Sequence, residues 1–536
     1  MARKPRHWGK IMAVTGLLVG LVAVACSSSG VSQEAYDNKA AEVQAASVQV
    51  KAKEQELTQL QQKLDSVVPK SVVQAGQLQP AAAAAQPTGW DSTASMRGGL
   101  KLVATYDSSG PDAWDNKAHP MVYYTSEGGA NLFAGLQVID AYSKKVIASV
   151  SFDLGAKISP HTVGSSPDGK WLYLQSRWKV DPTKTAAKVE DPQHAPIATA
   201  PPPEEDVTLI INARTLKIDK ILKQESFFQG SLRVQRLHHV MSFVDAKGKD
   251  RVALQYGFGS NGGPHFVIDP KDNNRVVQAI TVEDTGYWMG HPFLVVDPAR
   301  KNLYVGLKMA AWATEIEEVA GVAKINLETH AVTIIPAVGQ HLIGMAFTAD
   351  GKFLYVIDGE NSMVAKIDAA TNEVVGKTSA GVAGPYGICM NWDETELYTV
   401  GKGEGSHNTG SVLGVVNIQA GAFTTKRGIE NPIYLGGTGK VASIDHCQLH
   451  PDPAVNEIWV SNMAGDETIV VDLKTRKVKA YIPSPNGGNT HSGAFVKYNA
   501  DWTGKVLADH GGPQPDLYAA RLDVIKAAAA AAAAPK

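Results

Sequence analysis

Between residues 100 and 525 one short phrase keeps returning. "SPHTVGSSPDGKWLYLQS" begins at Ser159, "GHPFLVVDPARKNLYVGL" at Gly290, "QHLIGMAFTADGKFLYVID" at Gln340, "GPYGICMNWDETELYTVG" at Gly384 and "DHCQLHPDPAVNEIWVSN" at Asp445. Each is an apolar run, a tight turn of Asp, Gly or Pro, and a run of β-branched and aromatic residues, which is how two hairpin-linked strands read. A further strand and turn follow, as in "VAKINLETHAVTII", "VAKIDAATNEVVGK" and "TIVVDLKTRKVKAY"; "LQVIDAYSKKVIASV" and "LIINARTLKIDKIL" are earlier copies. A unit of roughly 45 to 60 residues with four short strands is a propeller blade, which buries its faces only against other blades. Third-strand copies start at seven positions, 136, 208, 265, 321, 363, 413 and 468. The expected fold is all-β: a seven-bladed β-propeller over 100–525, with eight blades as the alternative. Strands within 491–510 are expected to close the ring against the N-terminal blade, and the proline-rich insert 180–203 reads as an exposed loop.

The 50 glycines and 28 prolines suit such a turn-rich chain. A net charge of −2 with 19% charged residues argues against a nucleic-acid partner. After Cys26 only Cys389 and Cys447 remain, and these either pair or serve as small buried apolar residues.

The N-terminus reads as an export signal. Arg3, Lys4, Arg6 and Lys10 precede the apolar run Ile11–Ala25, which ends in "VAVAC". Residues 1–25 are expected to be a lipoprotein signal with Cys26 as the acylated residue; a transmembrane anchor is the alternative, though 15 apolar residues are short for a span. In 26–68, Tyr36, Val43, Val50, Leu57 and Leu64 recur every seven residues, with Ala46, Leu60 and Val67 three later. That seam predicts a short coiled coil and, through it, a homo-oligomer. Lys39 and Lys53 on the seam keep a solvated spacer helix as the alternative. Residues 69–99 read as a linker and 526–536 as a low-complexity tail.

Aligning the blades on their first strand brings one position into register: His161, His239, His291, His341, Tyr386, His446 and His491. The first strand of a blade lines the central channel, so residues at its entrance converge on one mouth. Six imidazoles there, out of 15 histidines in the chain, suit a soft or borderline metal such as copper. Zinc satisfies the same ligand type, whereas calcium or magnesium needs carboxylates. A ring of hydrogen-bonded polar residues is the alternative to any metal. His238, beside His239, joins the set if the strand bends at its mouth, and His119 is expected to reach the same mouth. His265, His330, His407 and His510 read as surface residues, and His450 as lying outside the site.

"SPHTVGSSPDGKWLY" resembles the YVTN class of propellers. One inward histidine per blade, with an adjacent pair, resembles the copper-cluster propeller of nitrous-oxide reductases. The chain has no cupredoxin domain and no Cys-x3-Cys motif, and in this it more closely resembles thiocyanate dehydrogenase. That resemblance, over about 100–525, implies a periplasmic oxidoreductase holding two or three copper ions on His161, His238, His239, His291, His341, His446 and His491. It implies oxidation of thiocyanate by water to cyanate and sulfur, with electrons passed to a periplasmic acceptor. His119 is the candidate catalytic base, with Glu127, Lys308 and Glu315 as helpers. The lipid anchor then places the protein at the outer membrane. The rival is a non-catalytic propeller lipoprotein that binds proteins or envelope polymers; a tetrapyrrole-binding or metal-delivery protein is a third reading. Covalent haem is excluded, because no Cys-x-x-Cys-His motif is present.

Overall fold

In the computed structural model, the described residues are 41, 44–45, 47–49, 51–52, 55, 59, 70–74 and 99–533, the last without 118, 127–133, 155–161, 180–203, 226–236, 257–264, 281, 286, 289–293, 308, 311–319, 404–409, 420, 427–430, 437–442, 463–464, 488–489 and 511. Residues 1–68 and 69–536 form separate units. In the first unit the described positions are helical; the seam residues Val43, Val50, Leu57 and Leu64, the signal and Cys26 lie outside the described residues. Among the described residues no helix is long and apolar enough to cross a membrane.

The second unit is mostly β and arranged as a propeller. Among the described residues seven sheets have four or more strands each, with an additional two-stranded ribbon. Seven strands lead these sheets at the axis: β1 (Val163–Ser165), β2 (Leu237–Val244), β3 (Leu294–Val296), β4 (Leu342–Phe347), β5 (Pro385–Met390), β6 (Ile444–Leu449) and β7 (Thr490–Tyr498). Each touches the next, and β7 touches both β6 and β1, so the contacts close into a ring. Every third-strand position expected from the repeat is a strand. Closure is as expected too: β7 pairs antiparallel with Met121–Ser126, mixing the two ends of the unit in one sheet.

The strands form because alternate β-branched and aromatic residues fill the spaces between neighbouring sheets. Tyr304 and Phe347, for example, meet edge to face with ring centroids 4.9 Å apart. Near the axis the sheets crowd. A Cβ on Gly387 of β5 would fall 2.6 Å from the Asp445 carbonyl oxygen of β6, so only glycine fits there. Cys389 and Cys447 do pair, tying β5 to β6 with Cα atoms 6.0 Å apart.

Three elements depart from the sequence reading. Lys70–Gln74, within the expected linker, pairs parallel with Val146–Asp153. β8 (Gly504–Asp509) pairs with the axial edge of β7 and touches β2 and β6, so it fills the channel; β9 (Gly512–Pro513) turns back along it. Asp509 accepts from the Ser242 amide of β2 at 2.5 Å, and Gln514 donates to the Ser242 carbonyl at 2.7 Å. The expected low-complexity tail is helical through Ala533, as the end of α1 (Pro515–Ala533). That helix buries Tyr518 against Val295 and Phe347, and Arg521 faces Glu394 at 3.5 Å.

Candidate metal centre

The strand entrances share a backbone irregularity. Register slips between Leu237 and His239, Leu342 and Met345, Pro385 and Ile388, and Ile444 and Cys447, and opposite His491 between Tyr123 and Thr125. A bulge leaves an extra residue outside the ladder and re-aims side chains. It explains how Asp445 and His446, which strict alternation would send to opposite faces, come to one side: Asp445 Oδ2 lies 2.8 Å from His491 Nδ1 and 3.5 Å from His446 Nε2.

His239, His446 and His491 are buried and come together as the register predicts. His239 and His446 meet edge to face at 5.2 Å, and His446 and His491 lie 6.3 Å apart. Tyr386 holds its predicted place, 5.0 Å from His446. His341 is half-buried at the entrance to β4, with its amide 3.4 Å from Asp358 Oδ1. His238 lies on β2, but its side chain is outside the described residues, as are His161, His291, Glu127, Lys308, Glu315 and His407.

Two histidines read as surface residues are interior. His510, at the tip of the channel hairpin, stacks on His239 at 4.0 Å and meets His446 edge-on at 4.5 Å. His265 is buried on the third strand of the same sheet as His239. His330 is exposed, as expected. His450 is buried against Tyr142 and Phe495 and belongs to neither ligand group. His119 is half exposed and bonded to Asp140 at 2.7 Å. Asp140 pairs with Met121, whereas Thr125, at the other end of that strand, faces His491. The strand spacing therefore separates His119 from the cluster by roughly 13 Å.

Among the described residues two groups could each hold a metal ion: His239, His446 and His510, and Asp445, His446 and His491. Within each, the ligand atoms lie within 4.8 Å of one another, and His446 is common to both. One hydrogen bond suits ligation. His239 Nδ1–H donates to Gln255 Oε1 at 3.0 Å, which assigns the lone pair of that ring to Nε2. Burial, then the neighbouring His239 and His491, hold His510 well below its ordinary range. Burial followed by His239 lowers His265 to about 3. Neutral imidazoles with one carboxylate are a donor set for a borderline divalent ion.

Those lowered values make a pH prediction. Below about 6.5 the unfolded chain protonates His265 and His510 while the fold resists, so the unfolded state binds more protons. Stability of the metal-free protein should fall as pH drops from 6.5 toward 3, by up to about 1.4 kcal/mol per pH unit for each histidine. Urea unfolding at pH 7.5 and 5.5 checks this. A His265→Asn variant should show the shallower slope; equal slopes would rule out the contribution.

No protein-family model and no curated protein matches the chain. Among solved structures it is similar to dihydro-haem d1 dehydrogenase NirN (14% identity, TM-score 0.43, 78% of this chain and 81% of that one). It is also similar to the periplasmic gluconolactonase PpgL of Pseudomonas aeruginosa (15%, 0.42, 69% and 98%). A functionally unknown protein from Desulfotomaculum acetoxidans gives 10%, 0.43, 69% and 98%. NirN and PpgL are β-propeller proteins, and at this distance the likeness carries no function across.

Proposed function

We propose that the channel mouth is a copper centre and that the protein is an exported oxidoreductase of the thiocyanate-dehydrogenase type. The observation that carries this is the convergence of two ligand groups on His446, built from separate inner strands and the channel hairpin. His446 is common to both groups and a neutral imidazole has one lone pair, so two ions would need the His446 ring deprotonated; His161 and His291 belong to the same register and are the candidates for a third. The seven contacting inner strands support a count of seven blades.

Copper, when bound, supplies Lewis acidity and a sink for electrons. The chain's own residues do the rest. Gln255 orients the ring of His239. Lys402 lies 3.8 Å over the Tyr386 ring, itself edge-on to His446, and places positive charge beside the site, which favours a small anion. In the proposed reaction the C–S bond of thiocyanate breaks and a C–O bond to water forms. Cyanate and sulfur leave, two protons are released, and two electrons pass to a periplasmic acceptor.

Export, acylation at Cys26, outer-membrane attachment and a coiled coil over 26–68 complete the reading. Mass spectrometry of the mature N-terminus and sedimentation of 27–536 against 69–536, which keeps the Lys70–Gln74 strand, test these parts. For the centre itself, copper-loaded and desalted protein should retain about two ions per chain and reduce an artificial acceptor only when thiocyanate is present. Copper without thiocyanate-dependent turnover would reject the substrate but keep the metal. No retained copper would reject the centre, and the non-catalytic propeller lipoprotein would take its place.

A further inference from the structure

Six of the seven junctions between neighbouring sheets are filled by apolar clusters. The junction between the β6 and β7 sheets buries apolar side chains too, with Trp459 edge-on to Phe495 at 5.7 Å, but among the described residues it also carries a set of polar groups. On the β7 side, Tyr124 lies opposite Gln137, and Gln137 opposite Ser149. Directly opposed residues of antiparallel strands point to one face, so these three form a row running outward from the channel. The row faces the β6 sheet, because the Tyr124 ring stacks on Trp459 at 6.4 Å. Trp459 and Ser461 share a face of strand Glu457–Asn462, and Thr468 lies opposite Ser461.

Both rows are buried, with Tyr124, Gln137, Ser461 and Thr468 each 0% exposed. The Tyr124 hydroxyl, both polar atoms of the Gln137 amide, the Thr468 hydroxyl and Trp459 Nε1 have no protein hydrogen-bond partner among the described residues. So many enclosed polar atoms in one junction call for bridging water, since an unsatisfied buried group costs about 1–3 kcal/mol. Both ends of the junction are anchored. At the axis Ser461 donates to Asp445, and burial together with the Asp445 charge raises Tyr124 above its ordinary range. At the rim Ser149 donates to half-buried Asn486 at 2.7 Å, and Asn486 donates to the Val150 carbonyl at 2.9 Å.

We infer that this junction holds a file of water molecules from Ser461 and Tyr124 to Asn486, and that protons released at the channel mouth leave along it. Hydroxyl groups and water relay a proton by exchanging donor and acceptor roles, so no residue of the file has to hold a charge. The proton role rests on the oxidation reading of the site; the water file does not.

A high-resolution crystal structure of the full chain tests the file. Ordered waters should lie within hydrogen-bond reach of Gln137, Tyr124 and Thr468 and continue to Asn486. Direct pairing of these side chains with no water between them would overturn the proposal. In Gln137→Leu the file should break, copper per chain should stay the same, and thiocyanate-dependent turnover should fall about tenfold with a larger solvent-deuterium effect. Unchanged turnover in a variant whose waters are lost would overturn the proton role. A wild type without turnover would overturn the oxidation reading and the proton role together, while the crystal waters still decide the file.

Discussion

His446→Ala should empty both ligand groups at once. Its imidazole is common to the His239–His510 and Asp445–His491 sets, so copper per chain should fall from about two to near zero. His491→Ala removes a ligand from one group only and should lose about one ion. Neither change removes a member of the apolar clusters between the sheets, and the cavity left should cost about 1–3 kcal/mol, which leaves the fold in place. Elemental analysis of both variants, read beside thermal melting, distinguishes lost ligation from lost structure. Equal copper loss in the two variants would contradict a shared ligand.

The largest effect on stability should come from Gly493→Ala. Gly493 lies on β7, the strand that closes the ring, beside Tyr123 of Met121–Ser126. A methyl group there would collide with the Tyr123 carbonyl oxygen and come within 2.9 Å of Val163 Cγ1 on β1. Backbone on one side and a neighbouring sheet on the other leave no room to yield, so the loss should be about 3 kcal/mol or more. Urea denaturation of wild type and variant measures it. An unchanged midpoint would mean that the closure is looser than the strand register indicates.

The propeller was legible because its information is local. Each hairpin carries its own turn and its own alternation, and the copies repeat that information along the chain. The positions of His239, His446 and His491 followed from the same repeat, since a shared register on inner strands is a shared place at the channel. What escaped the reading depends on departures from the repeat. Asp445 was passed over because alternation sends it away from His446, and only the bulge between Ile444 and Cys447 reverses that. His510 lies outside the repeated strand pattern; it arrives on a hairpin whose place in the channel is set by contacts such as Asp509 with Ser242, 267 residues apart. His265 sits on a third strand, where position along the repeat gives no hint of burial beside His239. His119 shows the reverse: nearness in sequence to the first blade does not tell at which end of the strand it emerges.

Ring closure also fixes when the centre comes into being. His491 meets the Thr125 hydroxyl across 366 residues of chain, and His510 follows later still. A polypeptide emerging from the ribosome in order displays His239 long before it has synthesised these late partners. Contacts of such long sequence range form last, after the loops between them have been closed. A nascent or truncated chain therefore presents isolated imidazoles rather than either ligand group. On the proposed metal reading, capture of an ion would be deferred until synthesis has passed residue 510, and a bound ion would then report a closed ring.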